Sequence, residues 1–204
     1  MKSTILLLHG FNSAPGSKKE VINQWLSKNN LSDRFELKAP LLPIEPLKAI
    51  EVIAEIIKES EGIVYLIGTS LGGFYANYVR AHYPDSKCVV HAINPSWEPS
   101  ITLQRVLNTE VTNYKTGVVS FFSSTYISQI EKIEKQILEN LKVYHGNEYY
   151  IHIGTEDELL EFDSFLKFLH HNQVAFKKHE YPTNHRFEMM EEMLENFVLK
   201  FNIP

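Results

Sequence analysis

Hydrophobic and polar positions along this chain follow two rhythms that alternate from end to end. Short apolar runs at 3–8, 35–38, 63–67, 88–93, 149–153 and 175–181 are rich in Val, Ile, Leu and Tyr and read as strands. Between them lie longer amphipathic stretches. Leu47, Ile50, Ile53 and Ile57 recur at helical spacing, as do Ile127, Ile130, Ile133, Ile137 and Leu141, and Phe187, Met190, Leu194, Phe197 and Phe201. Strands alternating with helices predict βαβ units and a mostly parallel sheet with helices on both faces.

One stretch escapes that rhythm. Residues 95–126 carry Trp97, Leu103, Leu107, Tyr114, Phe121 and Phe122 without a sustained period, and irregular segments of this length in a compact domain are commonly lids or pocket walls. An excursion that merely covers the sheet edge is the alternative. No linker, repeat or low-complexity tract divides residues 1–204, so a single domain is expected.

Composition then narrows the partners. With 44% apolar residues the chain can bury a core, which excludes intrinsic disorder as its main state. Twenty basic residues against 25 acidic ones, a net charge of −5, supply no broad cationic field, so nucleic acid is not expected as a partner. The single cysteine, Cys88, forms no intrachain disulfide, and the apolar run at 5–8 is too short for a signal-peptide core or a membrane span. A cytoplasmic setting is expected.

The candidate chemistry begins where the third apolar run meets Gly68-Thr69-Ser70-Leu71-Gly72-Gly73, with a helix expected over 74–83 and ended by Pro84. This is G-x-S-x-G in a strand-turn-helix setting. A sharp turn there exposes the Ser70 hydroxyl at the carboxyl end of the sheet, and the flanking glycines remove Cβ atoms that would collide. The sequence lacks the Gly-Lys-Ser/Thr of a phosphate-binding loop and the spacing G-x-G-x-x-G. A plain turn with Ser70 capping the helix is the bland reading.

A serine nucleophile needs a base and a group to orient that base. After the fifth run come Glu156, Asp157 and Glu158, of which Asp157 is the expected acid. Glu156 and Asp163 stand in reserve, and Glu156 and Glu158 read as first-turn acids of the next helix. After the sixth run comes His185, the expected base. The order Ser, Asp, His is that of α/β-hydrolases. None of the remaining histidines forms a metal spacing, so neither a metal nor a cofactor is expected. The backbone N–H groups of Phe11, in the loop His9 to Ser13, and of Leu71 are the expected oxyanion donors, with His9 bracing the loop.

These residues resemble the YqiA-like bacterial esterases, a small branch of the α/β-hydrolases. The resemblance rests on Leu8-His9-Gly10-Phe11-Asn12-Ser13, the segment from Gly68 to Ala76, Asn94-Pro95 with Pro99, Asn113-Tyr114-Lys115-Thr116-Gly117, the acidic turn at 155–162 and Asn184-His185-Arg186-Phe187. Pro182-Thr183 and Glu156 depart from the family pattern, which has glycines and a small residue there. The resemblance implies hydrolysis of acyl esters or thioesters by Ser70, Asp157 and His185, with Phe11 and Leu71 as oxyanion donors.

The expected fold is an α/β-hydrolase domain with six strands in the order 2-1-3-4-5-6. Its acyl pocket is expected to draw on Asn12, Phe74, Trp97 and Phe122, taking a small-molecule ester or thioester. A serine peptidase or amidase, and a binding protein that no longer turns over, are the rivals. An intact set of Ser70, Asp157 and His185 argues against the second. Dehalogenase chemistry is disfavoured, because the turn carries serine rather than a carboxylate.

Overall fold

The structure is a computed structural model that describes residues 2–83, 88–141 and 148–198. Six parallel strands form the main sheet: β1 (Ser3–Leu8), β2 (Phe35–Lys38), β3 (Val64–Thr69), β4 (Cys88–Ile93), β7 (Tyr149–Gly154) and β8 (Lys177–Tyr181). Their order is β2-β1-β3-β4-β7-β8. Counting only these strands, that is the expected 2-1-3-4-5-6. The direction of winding reverses between β1 and β3, and open α/β sheets place ligands above the carboxyl ends at such a point.

Alternation along each strand feeds two cores. Leu6, Leu8, Leu66, Val90 and Ile151 pack under α2 (Pro46–Glu59), α3 (Leu71–His82), α5 (Ser124–Asn140) and α6 (Asp163–His171). Ile5, Leu7, Tyr65 and Ile67 point the other way, onto Ile22 and Trp25 of α1 (Gly16–Lys28) and Met190, Met193 and Leu194 of α7 (Met190–Val198). The helix faces are those the periodicity marks: Ile127, Ile130, Ile133 and Ile137 are all buried on α5.

Several boundaries differ from expectation. Helix α3 starts at Leu71, immediately after Ser70, rather than at residue 74. The expected stop at Pro84 lies outside the described residues, as does Phe201. Phe187 stands before α7 with φ 53°, and its ring packs 5.0 Å from Tyr181 in the second core. A backbone in the left-handed region cannot start a helix, so the apolar spacing here marks core contact rather than helical continuity.

The excursion at 95–126 is more regular than its sequence suggests. It contains a short helix, α4 (Pro99–Thr102), a 3-10 turn (Leu103–Val106) and an antiparallel hairpin of β5 (Thr109–Thr112) and β6 (Val119–Phe122). Glu134 of α5 holds its base, accepting hydrogen bonds from the Ser100 amide at 2.8 Å and the Ser100 hydroxyl at 2.7 Å. Among the described residues no helix is long and apolar enough to cross a membrane.

Candidate active site

Strand β3 ends at Thr69, α3 begins at Leu71, and Ser70 takes the whole turn between them, with φ 56° and ψ −117°. A side chain is rarely held there, at a cost of order 1–3 kcal/mol, unless the surroundings leave no choice. The surroundings are tight. A Cβ on Gly68 would stand 2.2 Å from the Gly72 carbonyl oxygen, and one on Gly72 would stand 2.3 Å from the Leu8 carbonyl oxygen. Strand β1, the turn and α3 therefore touch backbone to backbone. The Ser70 amide donates to the Ile93 carbonyl at 3.0 Å, and the Ser70 carbonyl accepts from Ser96 and Phe74.

Gly10 lies on the other side of that turn. A methyl group there would be 3.3 Å from Ser70 Cβ and 3.7 Å from its Oγ, so the loop after β1 lies directly against the serine. The neutral imidazole of His9 braces the loop. Its Nε2 accepts from the Leu42 amide at 2.9 Å, which leaves the proton on Nδ1 facing the Gly10 carbonyl at 2.8 Å. Burial lowers the His9 pKa, and the Gly10 contact offsets part of that. The Phe11 ring is held edge-on against Phe122, centroids 5.4 Å apart. Leu71 stands in the first turn of α3, where amides have no intrahelical acceptor.

His185 and Asp157 meet across the ends of β8 and β7. His185 Nδ1 lies 2.8 Å from Asp157 Oδ2, with the carboxylate side chain 1% exposed. The other oxygen, Oδ1, accepts the amides of Leu159 and Leu160, both at 2.9 Å. Burial alone would raise the Asp157 carboxyl, but His185 and these two amides together hold it below the ordinary value. Glu156 is exposed, and Asp163 reaches Lys167 at 4.0 Å on α6. Among the described residues neither reserve acid bonds to the histidine ring. Glu158 is not a first-turn acid either, since α6 starts five residues later; its carboxylate accepts the His185 amide at 3.1 Å.

Asn94 connects this pair to the serine turn. It follows β4 directly after Ile93, whose carbonyl holds the Ser70 amide, and its Nδ2 donates to the Asn184 and His185 carbonyls at 3.3 and 3.4 Å. The structure thus brings Asp157 and His185 into contact after β7 and β8 and sets Ser70 at the end of β3, with β4 and its Asn94 between them. Among the described residues no hydrogen bond joins Ser70 Oγ to the imidazole, and such bonds commonly tighten only when substrate binds. No group of His, Cys, Asp and Glu among the described residues could hold a metal ion.

A cavity of about 250 Å³ opens beside Phe11 and Leu71. Of the residues expected at an acyl pocket, Asn12 lines this cavity, and Phe74, Trp97 and Phe122 do not. Phe74 is fully buried in the core, Trp97 packs at a tilt against Phe165 and Phe168 of α6, and Phe122 meets Phe11 edge to face. All three satisfy the commoner fate of an aromatic ring, which is packing. The apolar wall comes instead from Leu41 to Ile44, after β2, with Tyr75 from α3 and Val118 from the hairpin. That wall carries no periodic signal, only prolines at 40 and 43 around apolar residues.

The model of the uncharacterised protein family UPF0227 matches residues 4–202. The chain belongs to that family. This is the YqiA-like family anticipated from the motifs, and the solved structures similar to this UPF0227 chain have the α/β-hydrolase fold. A monoacylglycerol lipase of Paleococcus ferrophilus is 17% identical, covers 96% of this chain and 92% of its own, and superposes with a TM-score of 0.71. Est1E from Butyrivibrio proteoclasticus is 15% identical over 98% and 88% of the two chains, TM-score 0.71. The S-formylglutathione hydrolase FrmB of Staphylococcus aureus is 13% identical over 97% and 80%, TM-score 0.66.

Proposed function

We propose that this UPF0227 protein is a serine hydrolase of acyl esters or thioesters. The observation that carries the reading is the Asp157–His185 pair at 2.8 Å, tied through Asn94 to the strand end that holds Ser70 in its strained turn. In this mechanism Ser70 Oγ attacks the acyl carbonyl while His185 Nε2 takes its proton, and the resulting oxyanion accepts hydrogen bonds from the Phe11 and Leu71 amides. His185 then passes the proton to the departing alkoxide or thiolate. Water repeats the cycle on the acyl-enzyme and releases the acid.

Asp157 orients the imidazole and stabilises its charged form, with the Leu159 and Leu160 amides fixing the carboxylate in turn. The mainly apolar Leu41–Ile44 wall supports an acyl group rather than a sugar or a charged peptide as the occupant. A monoacylglycerol lipase, an S-formylglutathione hydrolase and a Pyrococcus furiosus esterase among the similar structures support the same reaction class. The test is labelling with a fluorophosphonate followed by peptide mapping. An adduct on Ser70 is expected, absent from Ser70→Ala; an intact protein with an unlabelled Ser70 sinks the reading.

A further inference from the structure

The cavity beside Phe11 and Leu71 has a polar side facing its apolar one, but most of that polarity is already used. Asn12 Nδ2 donates to the Thr112 carbonyl at 2.6 Å, and Asn113 Nδ2 donates to the Ser13 carbonyl at 2.7 Å. The Ser13 and Tyr114 hydroxyls pair at 2.6 Å. Asn113 Oδ1 accepts the Lys115 and Thr116 amides, and Thr116 Oγ1 accepts Val118 N. These bonds pin the β5–β6 hairpin to the loop after β1. Ser120, also in the lining, takes no part in them.

Tyr75 differs. It lines the cavity from within the first core at 2% exposure, and among the described residues its hydroxyl has no hydrogen-bond partner. A buried phenol without a partner in the protein can be satisfied only by what occupies the space its residue lines. Tyr75 lies four residues after Leu71 on α3, hence on the same helix face and about 6 Å further along the axis. Helical side chains lean back toward the N-terminus, here toward Leu71. Burial raises the phenol pKa, so the group stays a donor.

We propose that this cavity binds the acyl chain and that the Tyr75 hydroxyl donates to an oxygen carried on that chain, making short hydroxyacyl or oxoacyl groups the preferred substrates. This deepens the serine-hydrolase reading and rests on it. About 250 Å³, at roughly 30 Å³ per water-sized group, holds about eight non-hydrogen atoms, enough for a short chain with its oxygen. A plain alkyl chain filling the cavity would displace water and leave the phenol unbonded. A site built to hydrogen-bond a substrate group discriminates against the analogue that lacks it.

The experiment compares kcat/KM on N-acetylcysteamine thioesters of butanoate against 3-hydroxybutanoate, and of hexanoate against 5-oxohexanoate, in the wild type and Tyr75→Phe. In the wild type the oxygenated member of at least one pair is expected to be favoured about tenfold or more. Tyr75→Phe should bring that ratio close to one while its melting midpoint stays level or rises, because the hydroxyl has no structural partner to lose. A wild-type ratio of one or less in both pairs overturns the proposal without any variant. A ratio that survives Tyr75→Phe removes Tyr75 from it. If Ser70 takes the fluorophosphonate and turnover depends on it while both ratios stay at one, only this inference fails. If no thioester turns over and Ser70 is unlabelled, the serine-hydrolase reading falls with it.

Discussion

Asn94 and Gly154 are joined across neighbouring strands: the Asn94 Oδ1 accepts the Gly154 amide at 2.7 Å. The same carboxamide donates to the Asn184 and His185 carbonyls, so one fully buried side chain bridges β4, β7 and the loop bearing the histidine. Asn94 itself sits at φ 41°. Asn94→Ala therefore leaves a buried N–H and two carbonyls short of a partner and puts alanine in the left-handed region. A loss of about 2–4 kcal/mol of stability is expected, with a fall in kcat of about a hundredfold from a displaced imidazole. Denaturant unfolding and ester turnover measure the two effects, and an unchanged kcat would remove Asn94 from the site.

Gly154 makes a related prediction by contrast with Gly117. A Cβ on Gly154 would stand 2.4 Å from the Thr183 carbonyl oxygen and 3.0 Å from that of Asn184, whereas one on Gly117, at φ 72°, meets nothing within 4 Å. Gly154→Ala must push the His185 loop away from β7. It should cost about 1–3 kcal/mol or more and depress activity sharply, while Gly117→Ala should cost about 1 kcal/mol and leave turnover near wild type. Equal activity losses in the two variants would contradict this.

The central strands and the turn at Ser70 are legible in the sequence for related reasons, whereas Asp157 and His185 stand out only by their order along the chain. Central parallel strands are buried on both faces and read as apolar runs, and the serine turn needs small residues at fixed offsets because Gly68 and Gly72 pass backbone at close range. The β5–β6 hairpin was not legible. Of β5 only Val111 is buried, and on β6 Val119 and Phe121 point out at 55% and 54% exposure while Phe122 packs in the core, so apolar residues occupy both faces and leave no alternating signal. Asn94 left only an Asn-Pro pair in the sequence; its bridging role depends on carbonyls that arrive from residues 90 positions away.

The strain at Ser70 separates stability from function. Ser70→Ala should fold normally and lose about a millionfold in kcat. Ser70→Gly should be just as inactive but melt above Ser70→Ala, because glycine relaxes at φ 56°, ψ −117° and alanine does not. The gain is about 1 kcal/mol after the added freedom of the unfolded chain, or about 2–4 °C for a domain of this size. Calorimetry of the two variants side by side decides it; a glycine variant that melts lower means the turn is unstrained.

Asp157→Asn tests the orientation of His185. The Leu159 and Leu160 amides both donate to Oδ1, so the asparagine oxygen should stay there and its NH2 should face His185 Nδ1. That forces the imidazole proton onto Nε2, where Ser70 needs an acceptor, and a loss of about 10⁴-fold in kcat is expected. A loss below tenfold would show that another group orients the base. The wild-type carboxylate also carries a stability signature. Its pKa is lowered in the fold from the ordinary 3.8, so its contribution is complete above that pH and is lost as pH falls through the folded value.

His9 adds a second acid-sensitive group to the same site, in a higher pH range than Asp157. Leu42 N donates to its Nε2, and burial holds its pKa below the ordinary 6.5. The unfolded chain therefore takes up a proton at a pH where the folded protein resists it. Stability from this group is complete above pH 6.5 and declines as pH falls below it, until the folded imidazole is itself protonated. Protonation would turn an N–H toward the Leu42 N–H and release the Leu41–Ile44 wall from the loop that carries Phe11. The substitution His9→Gln would place a carboxamide oxygen near the position of Nε2, keeping an acceptor for Leu42 without a titratable group. Urea midpoints from pH 8 to pH 5.5 should fall more steeply in the wild type than in this variant, and parallel profiles would show that His9 does not control the acid response of the wall.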